Sequence, residues 1–320
     1  MANKPPVLTK AQRAKLAEIE PRLRACACSA DFDEAKKLVA EVQPMLRSTG
    51  HTTRLLQIKN WLYECALEAR ELDFAIAGFE GNRKLARSNT RIYLEATAFL
   101  AICYLRQKNV EKAKFHVREA IVCVSNIQTP RRREQFHKRY LGRLEEECVL
   151  SGLIEETPGY IDVDILQDEA VKLLKEKHED EIIEQLGMSL PGQSAQLLLD
   201  VQGFYHKQLP VLDRKMLPAP VTKHGIRELG QKVSAAFKRV AWRAVCDSKS
   251  DLYKAWSTNA AYVYDGKVLI GALAAALKSW KITAMCFAAA MTALIIKWGA
   301  AVFCEAFAPD WLMIHVTEKD

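Results

Sequence analysis

Five cations fall close together at Arg131, Arg132, Arg133, Lys138 and Arg139, and with Arg143 they make the densest basic run in the chain. Such a run is a candidate site for an anion, whether nucleic acid or an acidic partner. Only Phe136 and Tyr140 interleave as aromatics, which gives little platform for stacking unpaired bases. A solvated helix face is therefore the first expectation for the run, and nucleic acid the lesser one. Other chemistry-bearing residues are more scattered. Cys26 and Cys28 form C-x-C, with no histidine or second pair at zinc spacing. Asp162 and Asp164 could offer two carboxylates to a metal, but no third ligand converges on them, and a helix N-terminus explains both better. His206, His224 and His315 have no partners that spacing identifies. There is no G-x-S-x-G, no H-E-x-x-H and no phosphate-binding glycine loop. No catalytic residue, cofactor or metal ligand is assigned, and a non-enzymatic protein is expected.

The elements that carry these residues follow from composition and period. The 320 residues are 49% hydrophobic and 27% charged, which excludes a disordered, collagen-like or multi-span chain. With only 14 glycines and 11 prolines, a turn-rich β fold is disfavoured and an all-α fold expected. The nine cysteines are odd in number and the opening MANKPPVLTK has no apolar signal core, so reduced thiols, mostly buried as small apolar residues, are the expectation.

Three segments repeat: Asp31-Phe32-Asp33-Glu34-Ala35, Glu71-Leu72-Asp73-Phe74-Ala75 and Asn109-Val110-Glu111-Lys112-Ala113. Their alanines lie 40 and then 38 residues apart. Each opens an amphipathic stretch of helical period: Leu38, Val39 and Val42; Ile76, Phe79 and Leu85; Phe115, Val117 and Ile121. The acid suits a first helical turn, and the alanine allows two helices to approach closely. In the third copy, Leu100, Ala101, Tyr104 and Ala113 match the pattern of the tetratricopeptide repeat, which the region 10–128 resembles. Asn109 and Val110 depart from that pattern, the second copy keeps Leu62 and Ala75 but has Ala66 for the aromatic, and the first has Arg22 for the leucine. The resemblance implies a stack of helical hairpins whose free surface binds a protein partner. Tyr104 is then expected between the helices of its hairpin.

A further helix is expected from Thr129 to about Gly152, carrying the basic run. Within it Arg132 and His137 form R-x4-H, a spacing that resembles helical ribonucleases of the HEPN family and arises readily by chance. Residues 161–184 turn acidic over an apolar stripe, as in one amphipathic helix. Breaks follow at Leu190-Pro191-Gly192-Gln193 and at Leu217-Pro218-Ala219-Pro220. The expected domains are 1–155, a connecting region 156–217, and 218–320.

The last domain holds the apolar stretch Val268–Phe303, charged only at Lys278, Lys281 and Lys297. Ile282–Cys304 is 23 residues, long enough to cross a bilayer of about 30 Å. Its seven strong inserters contribute roughly 2–4 kcal/mol, about what a central lysine costs, and Lys297 lies near one end where it can snorkel. Lys278 and Lys281 before the span, Glu305 and Asp310 after it, and Trp280, Trp298 and Trp311 near its ends favour a membrane helix with its N-terminal side in the cytoplasm. The competing expectation is a buried hairpin, with Val268–Leu277 packed on Ile282–Ile296 through Gly271/Ala275 and similar small pairs. A cytosolic repeat domain joined to a membrane segment resembles, in architecture alone, the bacterial membrane effectors of anti-phage defence. The expected protein is thus a membrane-associated repeat protein that docks a protein partner, at the inner membrane, with homo-oligomers compatible. Its alternatives are a soluble cytoplasmic scaffold and, more distantly, a HEPN-like ribonuclease.

Overall fold

The computed structural model describes residues 5–154, 161–222, 225–258, 266–282, 284–308 and Leu312. Among them every regular element is helical, so the all-α expectation holds. His224, Asp310, Trp311 and His315 lie outside the described residues. The chain divides into two compact units: residues 1–104 with 109–135, and residues 105–108 with 136–320.

The first unit is built from hairpins: α1 (Lys10–Ser29) with α2 (Phe32–Ser48), α3 (Thr52–Glu68) with α4 (Leu72–Leu85), and α5 (Arg91–Arg106) with α6 (Val110–Cys123). The repeated segments are the starts of α2, α4 and α6. Asp31 and Asn109 accept backbone N–H bonds from Glu34 at 3.1 Å and Lys112 at 3.2 Å, as N-caps do. The residue just before each cap is left-handed: Ala30 at φ 54°, Arg70 at φ 72° and Lys108 at φ 59°. The cap's own N–H then bonds back five residues, from Asp31 to Cys26, Glu71 to Ala66 and Asn109 to Tyr104, at 2.8–2.9 Å. Each hairpin therefore closes with one Schellman-type turn, which satisfies orphan carbonyls of the first helix. Ala35, Ala75 and Ala113 are buried where the paired helices meet.

Tyr104 is buried as expected, stacked on His116 with centroids 5.3 Å apart, and its hydroxyl donates to Glu80 at 3.0 Å. Gly78 is required for packing, because a Cβ there would lie 2.3 Å from the Tyr63 ring. A polar ladder runs through the core: Asn82 Nδ2 donates to Leu56 O and Asn60 Oδ1, and Asn60 Nδ2 to Ile92 O. Two residues depart from expectation. Leu85 and Phe115, placed on the buried stripe by period, are 69% and 62% exposed.

In the second unit the basic helix is α7 (Pro130–Leu153), whose first residues belong to the first unit. It is followed by α8 (Val163–Glu176), α9 (Glu179–Ser189), α10 (Gly192–Gln208), α11 (Val211–Arg214), α12 (Ile226–Cys246), α13 (Asp251–Thr258), α14 (Gly266–Ser279), α15 (Met285–Trp298) and α16 (Ala300–Ala306). The acidic region is two helices rather than one, broken at Lys177 and His178. Asp162 caps α8 by accepting from the Asp164 and Ile165 amides. The closest crossing joins α9 to α12. A Cβ on Gly187 would sit 2.1 Å from Ile226 O, and one on Gly230 would sit 1.9 Å from Ile183 O, so backbone meets backbone there. Gly271, expected at a tight contact, has open space around its Cβ position.

The apolar segment does not form one long helix. α15 and α16 meet at Gly299, φ 81°, with a bend of 97°, and no single helix among the described residues is long and apolar enough to cross a membrane. Phe287–Ile295 is buried, and α15 packs against α8, α9, α12 and α14. α14 and α15 form the hairpin that was the competing expectation, turning at Lys281, φ 55°. The reduced-thiol expectation fails at one pair: Cys246 and Cys304, 58 residues apart, are joined by a disulfide that ties α12 to α16. Trp242 Nε1 donates to Cys304 O at 3.1 Å beside it. Cys26, Cys65, Cys103 and Cys148 are buried, as expected of small apolar residues.

Candidate functional site

The basic run lies along α7. Arg131 and Lys138 are exposed, while Arg132, Arg133 and Arg139 are half-buried. Arg133 Nη1 donates to Ile127 O and Gln128 O, both at 3.2 Å, so its charge tethers the preceding turn. His137 is wholly buried, with Nδ1 2.8 Å from the Tyr205 hydroxyl and Nε2 3.7 Å from Asp213. A general acid or base must reach the proton it moves. This histidine has no exposed surface, and the bond of its Nδ1 to Tyr205 ties α10 to α7.

Seven residues on from Lys138, the same helix carries Glu145, Glu146 and Glu147, an acidic triplet not singled out from the sequence. Each goes to a different partner. Glu147 is bound through both carboxylate oxygens by Arg106, at 2.6 and 2.8 Å, and lies 3.3 Å from Arg143. Burial alone would raise the Glu147 pKa, but Arg106, Arg143 and Arg239 hold it below the usual carboxylate range. The Arg106 guanidinium also stacks 4.8 Å over the Trp280 ring. Glu146 pairs with Arg143 and Arg239. Glu145 accepts from Lys232 at 2.6 Å and from Gln202.

That last pair floors a cleft in the second unit. Its volume is about 250 Å³, and its walls come from α7 (Lys138, Leu141), α10 (Gln202, His206), α12 (Lys232) and the Leu217–Pro220 break. The residues at 138, 141, 142 and 145 share one face of α7, since they are three or four apart. Gln202 is fixed from both ends, because its Oε1 accepts from Val221 N at 3.1 Å. An adjoining hollow of about 420 Å³ shares His206 and the proline wall and adds Lys207 and Arg214. His206 is only 8% exposed and is hydrogen-bonded by no group among the described residues. Burial, then Arg214 and Lys232, lower its pKa, so it is neutral at pH 7. Of the sequence-level candidates, Lys138 lines this cleft.

The first unit carries a second arrangement. Arg83 on α4 donates to both oxygens of Glu119 on α6 at 2.6 Å and to the Tyr93 hydroxyl at 2.9 Å. His116 lies beside it, with Nδ1 3.3 Å from Arg83 Nη1. Burial and the Arg83 charge hold the His116 pKa down to about 4. Tyr104 is pushed up to about 12 by burial and by its bond to Glu80. A hollow of about 380 Å³ opens beside Glu80, Arg83, Lys84 and Tyr93. Outside this network, α4 leaves Phe74 (42%) and Leu85 exposed, and α6 leaves Phe115 and Val122 (69%) exposed. Spacings of eleven and seven residues put each pair on one face of its helix. No cluster of three or more His, Cys, Asp or Glu residues among those described is placed to hold a metal.

Compared with known proteins, the chain matches no family model, no curated sequence and no solved structure.

Proposed function

We propose that the first unit is a tetratricopeptide-like docking module that binds a protein partner along the outer faces of α4 and α6. The observation that carries this reading is the apolar pair left exposed on each helix, Phe74 with Leu85 and Phe115 with Val122. Single exposed apolar residues are ordinary, but an aligned apolar pair on each of two helices of one unit offers a partner more than scattered residues do. Its rigidity comes from the hairpin turns and the Asn60–Asn82 ladder. A segment with apolar side chains suits these pairs. The test is crosslinking and affinity capture with wild type and with Phe115→Glu/Val122→Glu. One partner should be captured by wild type and lost by the variant at an unchanged melting temperature. Identical capture by both would sink the reading.

A second reading keeps the membrane. In its favour, α15 and α16 together have the length and composition of a bilayer span, although they meet at 97°. On this reading the chain is an effector whose apolar helix leaves the core of the second unit on a trigger, as the architectural resemblance to anti-phage membrane effectors implies. An alkaline-carbonate wash of cell membranes tests it: retention in the membrane pellet supports entry, and release into the wash removes it.

A further inference from the structure

The turn that follows α10 leaves two large apolar side chains in solvent. Val211 and Leu212, adjacent at the start of α11, are 65% and 74% exposed. We propose that this turn is a membrane-contacting tip, with Val211 and Leu212 entering the headgroup boundary of an anionic lipid surface and Lys207 and Lys215 meeting its phosphates. The proposal rests on neither reading above, since nothing crosses the bilayer and the first unit takes no part.

The first argument is rigidity. Leu209 and Leu217 are buried on either side of the tip and anchor both its ends. Between them the Arg214 backbone N–H donates to Pro210 O at 2.9 Å, and Arg214 Nη2 donates to Leu209 O at 3.0 Å. Val211 and Leu212 are thus held outward by bonds within the turn, and little ordering is lost when they enter lipid. The second argument is charge. Lys207 and Lys215 are exposed, and neither is ion-paired among the described residues. Asp213, the acid of the turn, faces inward: its side chain is 14% exposed and its Oδ2 lies 3.7 Å from His137 Nε2. Two apolar side chains with a positive rim complement an anionic headgroup layer. The third is size. A stable protein interface buries about 800 Å² on each partner, which two adjacent side chains do not supply. A lipid surface accepts a tip this small, because interfacial binding needs only a modest apolar area backed by charge.

Co-sedimentation with vesicles tests the proposal on the full chain with the Cys246–Cys304 bond closed. One set of vesicles mixes phosphatidylcholine with phosphatidylglycerol, and the other is phosphatidylcholine alone. Wild type should bind the mixed vesicles at least about ten-fold more tightly than the neutral ones, and raised salt should release it. Val211→Ser/Leu212→Ser and Lys207→Gln/Lys215→Gln should each weaken that binding about ten-fold. Both variants should melt like wild type, since all four side chains are exposed. Absence of binding to the mixed vesicles overturns the proposal. So does equal binding to the neutral ones, or a loss confined to the lysine variant, which leaves the apolar tip idle. Binding that survives both salt and the serine substitutions assigns the contact to α15 and α16 instead. If the serine variant loses a self-association that wild type shows in sedimentation velocity without vesicles, a second copy covers the tip and the lipid proposal falls.

Discussion

His116 and Tyr104 show how single side chains set the properties of the hairpin array. His116 is buried against Arg83, and a proton on it would face that guanidinium without solvent to screen the two. Its pKa is therefore held near 4 rather than 6.5. In the unfolded chain it titrates at the ordinary value, so between pH 6.5 and 4 the unfolded state binds the extra proton. Stability must then fall as the pH drops through that window, by about 3 kcal/mol in all. Melting curves across the window should show this slope in wild type and a shallower one in His116→Gln. A slope that is the same in both would remove His116 from the acid response. Tyr104 fills the space next to it. Tyr104→Ala should cost about 3–5 kcal/mol, as for large aromatics in cores, and Tyr104→Phe about 1 kcal/mol for the bond to Glu80. Denaturant titration separates the two effects. At the turn, Ala30 is left-handed without being glycine, so Ala30→Gly should be neutral or stabilising by up to about 1 kcal/mol.

Elements differ in how far the chain announces them. The starts of α2, α4 and α6 were legible because a cap, an acid and an alanine are local signals that recur at near-constant spacing. The exposed faces of α4 and α6 were not, because helical period puts Leu85 and Phe115 on an apolar stripe without saying whether a neighbour covers it. The acidic region read as one helix because its apolar pattern runs on through Lys177 and His178, where the backbone nonetheless turns. The α9–α12 crossing was illegible for another reason. Gly187 and Gly230 are 43 residues apart, and nothing local distinguishes them from glycines with open space such as Gly271. The cleft was partly visible, through Lys138 and the Leu217–Pro220 break, but Glu145, Gln202 and Lys232 meet only through the tertiary fold. Gly230→Ala tests the crossing. The added methyl collides with the Ile183 carbonyl, which belongs to backbone and cannot swing away. The expected cost is about 3 kcal/mol or more, at the upper end of overpacking, against about 1 kcal/mol gained from helix propensity. Gly142→Ala, on α7 with open space around it, is the control and should be neutral or stabilising.

On the scale of the whole molecule, the question is what holds the most apolar helix inside. α15 is buried among α8, α9, α12 and α14, and beyond Gly299 the chain turns into α16, which the Cys246–Cys304 bond pins to α12. Bending at Gly299 keeps α15 and α16 from acting as one long apolar rod, and the bond keeps the bend from opening. A crosslink closing 58 residues removes chain entropy from the unfolded state worth about 4 kcal/mol in the loop-closure treatment. Reduction, or Cys246→Ser/Cys304→Ser, should therefore lower the melting temperature of the second unit by several degrees and leave the pH slope set by His116 unchanged. The same samples decide what α15 is for. Floated with neutral vesicles, the oxidised protein should stay in solution, because α15–α16 cannot straighten while pinned. If the reduced protein melts lower yet also stays in solution, α15 is core whatever the state of the bond. If it floats, the disulfide is the latch on a membrane-seeking helix, and Ala290→Arg, which puts a charge at the centre of that helix, should abolish flotation.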